Sequence, residues 1–276
     1  MSVPRETSES ASAAGTGRTS HAAGTAHDAK EARAEKLPPA PSPALERLEK
    51  RLNEDSTVNM LSVPEIIESK RVYNGRIFSV DDRRIMLQET GARSTVIGRQ
   101  IVRHARSVVM MVHDTASDKY LIEREYRVGS NTFAFGFPAG LRDPGESALQ
   151  SAFRELREET GITVPGIPNS PGDPDFTASG VRKALSASAD VTVDVIGDFF
   201  SSVGMTDELT CVMVLHLNRY AVGKRDFDPD EHVESGWVTW DELRTVLPIH
   251  STNTVLAIQH EEIRRLRESL DATRKR

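Results

Sequence analysis

A cluster of glutamates lies in one short segment of the chain. Residues 140–162, GLRDPGESALQSAFRELREETGI, hold five acidic side chains, and Glu155, Glu158 and Glu159 fall within five positions of each other. At about 100° per residue on a helix, Glu155 and Glu159 are one turn apart and border the apolar arc. Like charges in this arrangement cost about a few tenths of a kcal/mol per pair. We therefore expect a bound cation to supply the missing counter-charge.

The residues around these glutamates predict a helix packed on a core, with a metal site at its edge. The apolar arc carries Leu149, Ala152, Phe153 and Leu156. Gly161 supplies a C-terminal stop, and the glycine-rich turn PAGLRDPGE can bring backbone carbonyls close to the acids. Carboxylates and carbonyls are hard oxygen ligands that suit Mg²⁺ or Mn²⁺. For E-x-x-E-E alone, a solvated acidic face is the alternative interpretation.

The whole segment resembles the Nudix box, G-x5-E-x7-R-E-U-x-E-E-x-G-U, in which U is aliphatic. Every specified position matches, at Gly140, Glu146, Arg154, Glu155, Leu156, Glu158, Glu159, Gly161 and Ile162. The resemblance implies a Nudix hydrolase, which cleaves a nucleoside diphosphate linked to another group. It also implies the fold class α/β (α+β), an α/β/α sandwich with a mixed sheet and a small N-terminal β-subdomain.

The resemblance also assigns roles to individual residues. The expected ligands of Mg²⁺, or alternatively Mn²⁺, are the carbonyl of Ala139 and the side chains of Glu155, Glu159 and Glu158, the last directly or through water. Arg154 is expected to orient the carboxylates by ion pairing. Glu146 is expected to support the loop or to bind metal through water.

The surroundings of the box resemble the ADP-ribose pyrophosphatase branch of this family. Its Tyr-Arg, Pro-Ala-Gly and Asp-x-Gly-Glu run falls at Tyr126-Arg127, Pro138 to Gly140 and Asp143 to Glu146. The strands around Asn74-Gly75 resemble its leading sheet, which helps to form a homodimer in that branch. The implied reaction is hydrolysis of ADP-ribose to AMP and ribose 5-phosphate.

Three departures from the branch pattern are expected to lie on the substrate side. Gly136 stands where the branch usually has Glu, and Val203 stands where it usually has the Pro of a Ser-Pro-Gly turn. Residues 163–190 lengthen the chain between the box and that turn, and we interpret them as a mobile insertion. Two alternatives therefore remain within the family: a hydrolase of nucleotide-sugars or one of damaged nucleoside triphosphates. A third is a non-catalytic ligand sensor that controls transcription, although the box is complete.

In that branch a loop glutamate acts as the general base. Glu231, in DFDPDEHVESGWVTWDEL, matches best, with Glu158 as second choice, and Asp230 and Glu234 compete with Glu231. The guanidinium groups of Arg127 and Arg124 are expected to neutralise phosphate oxygens. The sequence leaves open which aromatic residue stacks on the base; the candidates are Tyr73, Phe78 and Phe133.

Composition divides the chain into four segments, the last of which contains an insertion. We expect a disordered tail at 1–43, a leader helix and linker at 44–62, an N-terminal β-subdomain at 63–100 and a catalytic domain at 101–272, with the insertion at 163–190. Along the last helix, Leu256, Ile263, Leu266 and Leu270 predict a core or interface face.

Charge and cysteine content limit the function classes. The formal net charge of −6 argues against nucleic acid as the principal partner, and the expected partner is a small molecule linked to a nucleoside diphosphate. The single cysteine, Cys211, fits a reducing cytoplasm, and no stretch suggests a membrane segment. The eight histidines show no ligand spacing, so we expect no histidine metal ligand.

Overall fold

The computed structural model describes the chain from residue 42 onward, apart from residues 92, 227–231 and 275–276. The described residues divide between Leu52 and Asn53 into an N-terminal unit and a larger unit. Helix α1 (Pro43–Asn53) is amphipathic, and Leu45, Leu48 and Leu52 on it are exposed. The tail predicted at 1–43 lies outside the described residues except for its last two.

A small antiparallel sheet opens the larger unit. It consists of β1 (Glu65–Asn74), β2 (Phe78–Gln88) and β3 (Ser94–His104), in that order. The hairpin predicted at Asn74-Gly75 is present, and the Gly75 amide donates to the Phe78 carbonyl at 3.0 Å. The segment 201–208 ties this sheet to the next one, because the Val102 amide donates to the Met205 carbonyl at 2.9 Å.

The main sheet forms the centre of the larger unit. Its strands are β4 (Ser107–Asp114), β5 (Lys119–Arg127), β6 (Thr132–Gly136), β7 (Ala139–Leu141), β9 (Val191–Phe200), β10 (Leu209–Leu217) and β12 (Val233–Thr239). The strand order in the sheet is β12-β5-β4-β10-β9, and in addition β6 pairs with β5 and β7 pairs with β4. Strands β4 and β10 are parallel, and the other pairs are antiparallel. Strands β8 (Ile162–Thr163) and β11 (Ala221–Val222) form a separate, two-stranded antiparallel sheet.

Helices cover both faces of this sheet. On one face, α2 (Ala148–Thr160) and α3 (Ala178–Ala187) pack against Val108, Met110 and Met213. On the other, α4 (Trp240–Thr245) and α5 (Thr252–Arg274) pack against Val109, Met111 and Val214. Because both faces are covered, β4 and β10 are buried at almost every position instead of at every second one. This is the predicted α/β/α arrangement with a mixed sheet.

The buried face of α5 differs from the stripe that its leucines suggest. Leu256 is packed on the core, whereas Ile263, Leu266 and Leu270 are exposed. The buried positions are Thr254, Ala257 and Glu261. The small side chains of Thr254 and Ala257 let the helix approach the sheet closely. Glu261 is buried beside them because it accepts hydrogen bonds from Tyr120 and Arg264. The face of α5 that contacts the sheet is therefore not the face that carries Ile263, Leu266 and Leu270.

The segment predicted as a mobile insertion contains regular structure. Residues 178–187 form α3, which begins at the N-cap Thr177 and buries Val181 completely. In the part of the chain that the structure describes, no helix combines the length and the apolar character needed to cross a membrane.

Candidate active site

Local sequence signals set the ends of the glutamate-bearing helix α2. Ser147 is the N-cap and forms a capping box with Gln150, so both side chains satisfy backbone amides at the helix start. Gly161 ends the helix in the left-handed region, at φ 73°. Phe153 and Leu156 are buried in the core, which leaves the glutamates along the edge of the packed face.

Two of these glutamates converge on the backbone of β7. The Ala139 amide donates to Oε2 of Glu159 at 3.0 Å. A Cβ atom at Gly140 would lie 2.0 Å from Cδ of Glu155, so glycine is required for this close approach. The structure therefore brings Glu155, Glu159 and the Ala139–Gly140 backbone together, although these residues belong to a helix and a strand.

Arg154 binds three of the acidic side chains in this segment. Its Nε and Nη2 donate to the two carboxylate oxygens of Glu146 at 2.9 and 3.0 Å. Its Nη1 donates to Glu155 at 2.8 Å and to Glu158 at 2.9 Å. Its Nη2 also donates to the Leu141 carbonyl at 2.9 Å. Arg154 thus fixes three carboxylates relative to the loop before α2.

The charge balance of this group suits a divalent cation. Burial opposes the charge of Arg154, but the hydrogen bond to Glu146 and the charges of Glu155 and Glu146 outweigh it and raise the pKa of Arg154. The carboxylates of Glu146, Glu155, Glu158 and Glu159 outnumber the guanidinium groups of Arg154 and Arg157 by two. Carboxylate and carbonyl oxygens are the donors that Mg²⁺ and Mn²⁺ prefer, so the residues present fit such an ion.

The sequence analysis did not single out Arg157 and Asp226, which hold Glu158. One oxygen of Glu158 accepts from Arg157 at 2.5 Å while the other accepts from Arg154. The Glu158 carbonyl accepts from the Asp226 amide at 2.8 Å. The available signal was the position of Arg157, next to Glu158 on the same helix. Because both of its carboxylate oxygens bind guanidinium groups, Glu158 is positioned for ion pairing more than for taking a proton.

The residues predicted first as general base, Glu231 and its competitor Asp230, lie outside the described residues. The chain on either side of them is anchored, at Asp226 beside Glu158 and at Val233, which pairs with Glu125 of β5. Glu234 lies on β12 opposite Arg124.

The two predicted phosphate-binding arginines lie on opposite sides of β5. Arg127 is exposed and pairs with Glu125 at 2.7 Å. Arg124 lies over the rings of Phe133 and Phe135, at 5.8 and 5.3 Å from their centroids. Since side chains alternate along a strand, positions 124 and 127 face opposite ways. The structure therefore does not place both guanidinium groups on one phosphate.

The aromatic candidates for base stacking fall in two places. Phe133 lies beside Arg124, with the ring of Tyr126 at 5.9 Å. Tyr73 and Phe78 contact each other in the small sheet, at a ring separation of 5.5 Å.

Gly136 and Val203, where the sequence departs from the branch pattern, lie in different parts of the fold. Gly136 is on β6 and pairs with Glu123. Val203 is 81% exposed at the tip of the segment that ties the two sheets together.

Comparison with known proteins identifies the family. Residues 103–256, more than half of the chain, match the family described as NUDIX domain. The chain belongs to the NUDIX domain family. The matched range of this Nudix domain contains the complete box and the main sheet, and the prediction of a Nudix hydrolase is confirmed.

Individual relatives of this Nudix hydrolase carry names connected with ADP compounds. The chain is 25% identical to an ADP-ribose pyrophosphatase of Bacillus subtilis (strain 168) over 209 residues, which are 75% of this chain and 95% of that protein. It is 34% identical over 102 residues to the ADP compounds hydrolase NudE of Escherichia coli (strain K12), or 37% of this chain and about half (53%) of that protein. The resemblance to the ADP-ribose pyrophosphatase branch is thereby confirmed.

A solved structure supports the fold. The crystal structure of an ADP compounds hydrolase superposes with a TM-score of 0.52 at 19% identity, covering 77% of this Nudix hydrolase and 96% of that chain. At this identity the likeness concerns the fold, and it confirms the predicted mixed α/β class.

Proposed function

We propose that this Nudix hydrolase cleaves ADP-ribose to AMP and ribose 5-phosphate with the help of Mg²⁺, which Mn²⁺ can replace. The observation that carries the proposal is the convergence of Glu155 and Glu159 on the Ala139–Gly140 backbone. The relative from Bacillus subtilis, which aligns along 95% of its length, supports the choice of substrate.

The ion would be held by Glu155, Glu159 and the Ala139 carbonyl, with Glu158 directly or through water. When bound, it supplies charge neutralisation at the pyrophosphate and a more acidic water. Arg154 holds Glu155 and Glu158 in place through its 2.8 and 2.9 Å hydrogen bonds. Because these positions are set before substrate arrives, little reorganisation is needed during the reaction.

Hydrolysis forms a bond between the water oxygen and one phosphorus and breaks the bond from that phosphorus to the bridging oxygen. A carboxylate accepts a proton from the water. We propose Glu231 for this role, since the chain before it is anchored beside Glu158 and both oxygens of Glu158 bind arginines. Replacing Glu231 by Gln should lower kcat with little change in KM, whereas Glu234→Gln should leave kcat near wild type.

Incubation with ADP-ribose and Mg²⁺, followed by chromatography of the products, tests the proposal. Glu159→Gln is the informative variant, because glutamine keeps an oxygen for the Ala139 amide and removes only the charge. Glu262→Gln, which removes a pair with Arg244 away from both the box and the small sheet, is the matched control. AMP and ribose 5-phosphate should form with the wild type and the control but not with Glu159→Gln, and EDTA should stop the reaction.

The match to NudE favours a second candidate, hydrolysis of other ADP-linked compounds. ADP-ribose would then stay intact while another ADP compound yields AMP. A panel that also includes other nucleotide-sugars and nucleoside triphosphates separates these cases, because triphosphates release inorganic phosphate or pyrophosphate. A wild-type protein that cleaves none of these compounds would contradict the hydrolase proposal.

We also propose a homodimer formed through the small sheet, in a reducing cytoplasm. Strand β1 is exposed at every position and has β2 as its partner on one edge. Ile66 and Ile67 are exposed on it. Sedimentation should give twice the 30.4 kDa chain mass, and Ile67→Glu should give the monomer. Wild type sedimenting as a monomer at micromolar concentration would contradict the dimer.

A further inference from the structure

Arg157 stands at a position that the Nudix box does not specify. It is the variable residue between Leu156 and Glu158, so the pattern does not account for a basic side chain there. The side chain of Arg157 is only 23% exposed, beside that of Glu158 at 26%. An arginine that is three-quarters covered at a variable position of the box requires an explanation from its contacts.

The guanidinium group of Arg157 contacts three different parts of the chain. Its Nε donates to the Asn169 carbonyl at 3.3 Å. Its Nη1 lies 3.6 Å from Oδ2 of Asp226. Its Nη2 donates to Oε1 of Glu158 at 2.5 Å. Because a guanidinium is planar and its donors have fixed directions, the contacts with Asn169 and Asp226 determine where Nη2 points.

The two segments that orient this guanidinium are themselves anchored. The amides of Asn169 and Ser170 both donate to Oδ2 of Asp173, at 2.9 and 3.1 Å, which fixes the turn that presents the Asn169 carbonyl. On the other side, the Asp226 amide donates to the Glu158 carbonyl at 2.8 Å. The direction of the Nη2 donor is therefore set by parts of the chain outside α2.

As a result, guanidinium groups hold both carboxylate oxygens of Glu158. Oε1 accepts from Arg157 at 2.5 Å, and Oε2 accepts from Arg154 at 2.9 Å. A cation bound directly to either oxygen would lie close to a positive charge, and like charges repel. Each carboxylate oxygen has a second lone pair, however, and can also accept a hydrogen bond from water.

We propose that Arg157 is a positioning residue that keeps Glu158 out of direct contact with the ion. Glu158 then acts on the ion through water, while Glu155, Glu159 and the Ala139 carbonyl are the direct ligands. This inference rests on the metal site of the proposed function, and it selects one of the two roles left open there for Glu158. Partners of this kind, one step removed from the ion, orient the groups that surround it.

Mn²⁺ binding to the full chain tests this role without any substrate. Free Mn²⁺ is counted from its electron paramagnetic resonance signal, and the ion that Glu159→Gln loses is the one bound at the box. Arg157→Gln removes the guanidinium and leaves Oε1 of Glu158 able to bind this ion directly. Replacing a partner of a metal ligand changes metal affinity by about 10-fold or more, so we expect the Kd for Mn²⁺ to fall by roughly 10-fold.

A second background separates the position of Glu158 from the charge of Arg157. Glu158→Gln lacks the carboxylate that would bind, so adding Arg157→Gln to it should lower the Kd only about 2-fold, as expected for one screened charge. The difference between the two backgrounds measures the coupling of the two residues. Arg157→Lys keeps the charge and a donor for Glu158, and its Kd should stay within about 2-fold of wild type.

The matched control is Arg244→Gln on α4, at the opposite face of the sheet. It removes an equal charge from a pair with Glu262 at 2.8 Å and should leave the Kd for Mn²⁺ unchanged. Far-UV circular dichroism of each variant checks that α2 is still folded, and a variant that binds Mn²⁺ with the wild-type stoichiometry has kept the box.

Two results would overturn the positioning role alone. An equal fall in Kd in both backgrounds would mean that Arg157 acts only through its charge. An unchanged Kd in Arg157→Gln would mean that Glu158 binds in the same way with and without its partner. Both results leave the proposed function intact, because cleavage of ADP-ribose by the wild type tests it separately. A wild type that binds no Mn²⁺ sensitive to Glu159→Gln would overturn the metal site and this role together.

Discussion

The carboxylate of Glu155 lies so close to Gly140 that any side chain at position 140 would displace it: a Cβ there would be 2.0 Å from Cδ. Gly140→Ala should therefore shift the carboxylate by about 1 Å and lower kcat/KM about 100-fold. The stability cost should be small, because the end of a glutamate side chain can move. Gly98→Ala on β3, where no atom lies within 4 Å, is the control. Wild-type kcat/KM in Gly140→Ala would contradict the placement of Glu155 in the active site.

Removing Arg154 should destabilise the protein strongly. The guanidinium is buried and pairs with Glu146, Glu155 and Glu158 at 2.8–2.9 Å. Arg154→Ala leaves these carboxylates facing one another, and breaking such buried pairs costs about 3–5 kcal/mol. Urea unfolding should show this loss, whereas Arg219→Ala, which removes an exposed pair, should change stability little. A small loss for Arg154→Ala would mean that the carboxylates rearrange freely.

The end of α2 requires glycine for two separate reasons. Gly161 and Gly166 both have φ of 73°, but only at Gly161 would a Cβ meet another atom, the Gly223 carbonyl oxygen at 2.4 Å. Gly166→Ala should cost about 1–2 kcal/mol from the left-handed backbone alone. Gly161→Ala should cost at least about 1 kcal/mol more, since the backbone at Gly223, directly after β11, must move. Equal losses in thermal unfolding would contradict the steric explanation.

The ion pairs of Asp81 should make the free energy of unfolding depend on pH. Hydrogen bonding from Arg71, together with the charges of Arg83 and Arg103, lowers the pKa of Asp81 below its usual 3.8 despite burial. A lowered folded-state pKa contributes stability above the unfolded value, and this contribution is lost as pH falls below 3.8 through the folded value.

Asp81→Asn should thus destabilise the protein by roughly 1.5–3 kcal/mol at neutral pH. The difference from wild type should shrink as the pH is lowered towards 3 and below. Urea unfolding of both proteins across this range isolates the effect, because the other carboxylates titrate equally in each. Asp82→Asn, at the exposed neighbouring position, serves as control. If the difference in unfolding free energy between wild type and Asp81→Asn stayed constant with pH, the ion pairing of Asp81 with Arg71 would be contradicted.

The glutamate helix was predictable because its determinants are local. The apolar arc of Ala152, Phe153 and Leu156 and the stop at Gly161 follow from positions within one segment. By contrast, the leucines of α5 were misleading as a guide to its buried face. Burial there depends on which side chains let the helix approach the sheet, and Ala257 does so better than Leu266.

By itself the sequence determined the family, the helix that carries the acids and the oxygen-rich side chains that we propose as metal ligands, because these follow from residue types at fixed short spacings. Only the tertiary structure decided that the Ala139 amide meets Glu159, and that Arg157 and Arg154 both hold Glu158. It also decided that Tyr120 meets Glu261, 141 positions away. Such contacts join residues that only the packing of strands and helices brings together, so they cannot be predicted from the spacing of residues along the chain.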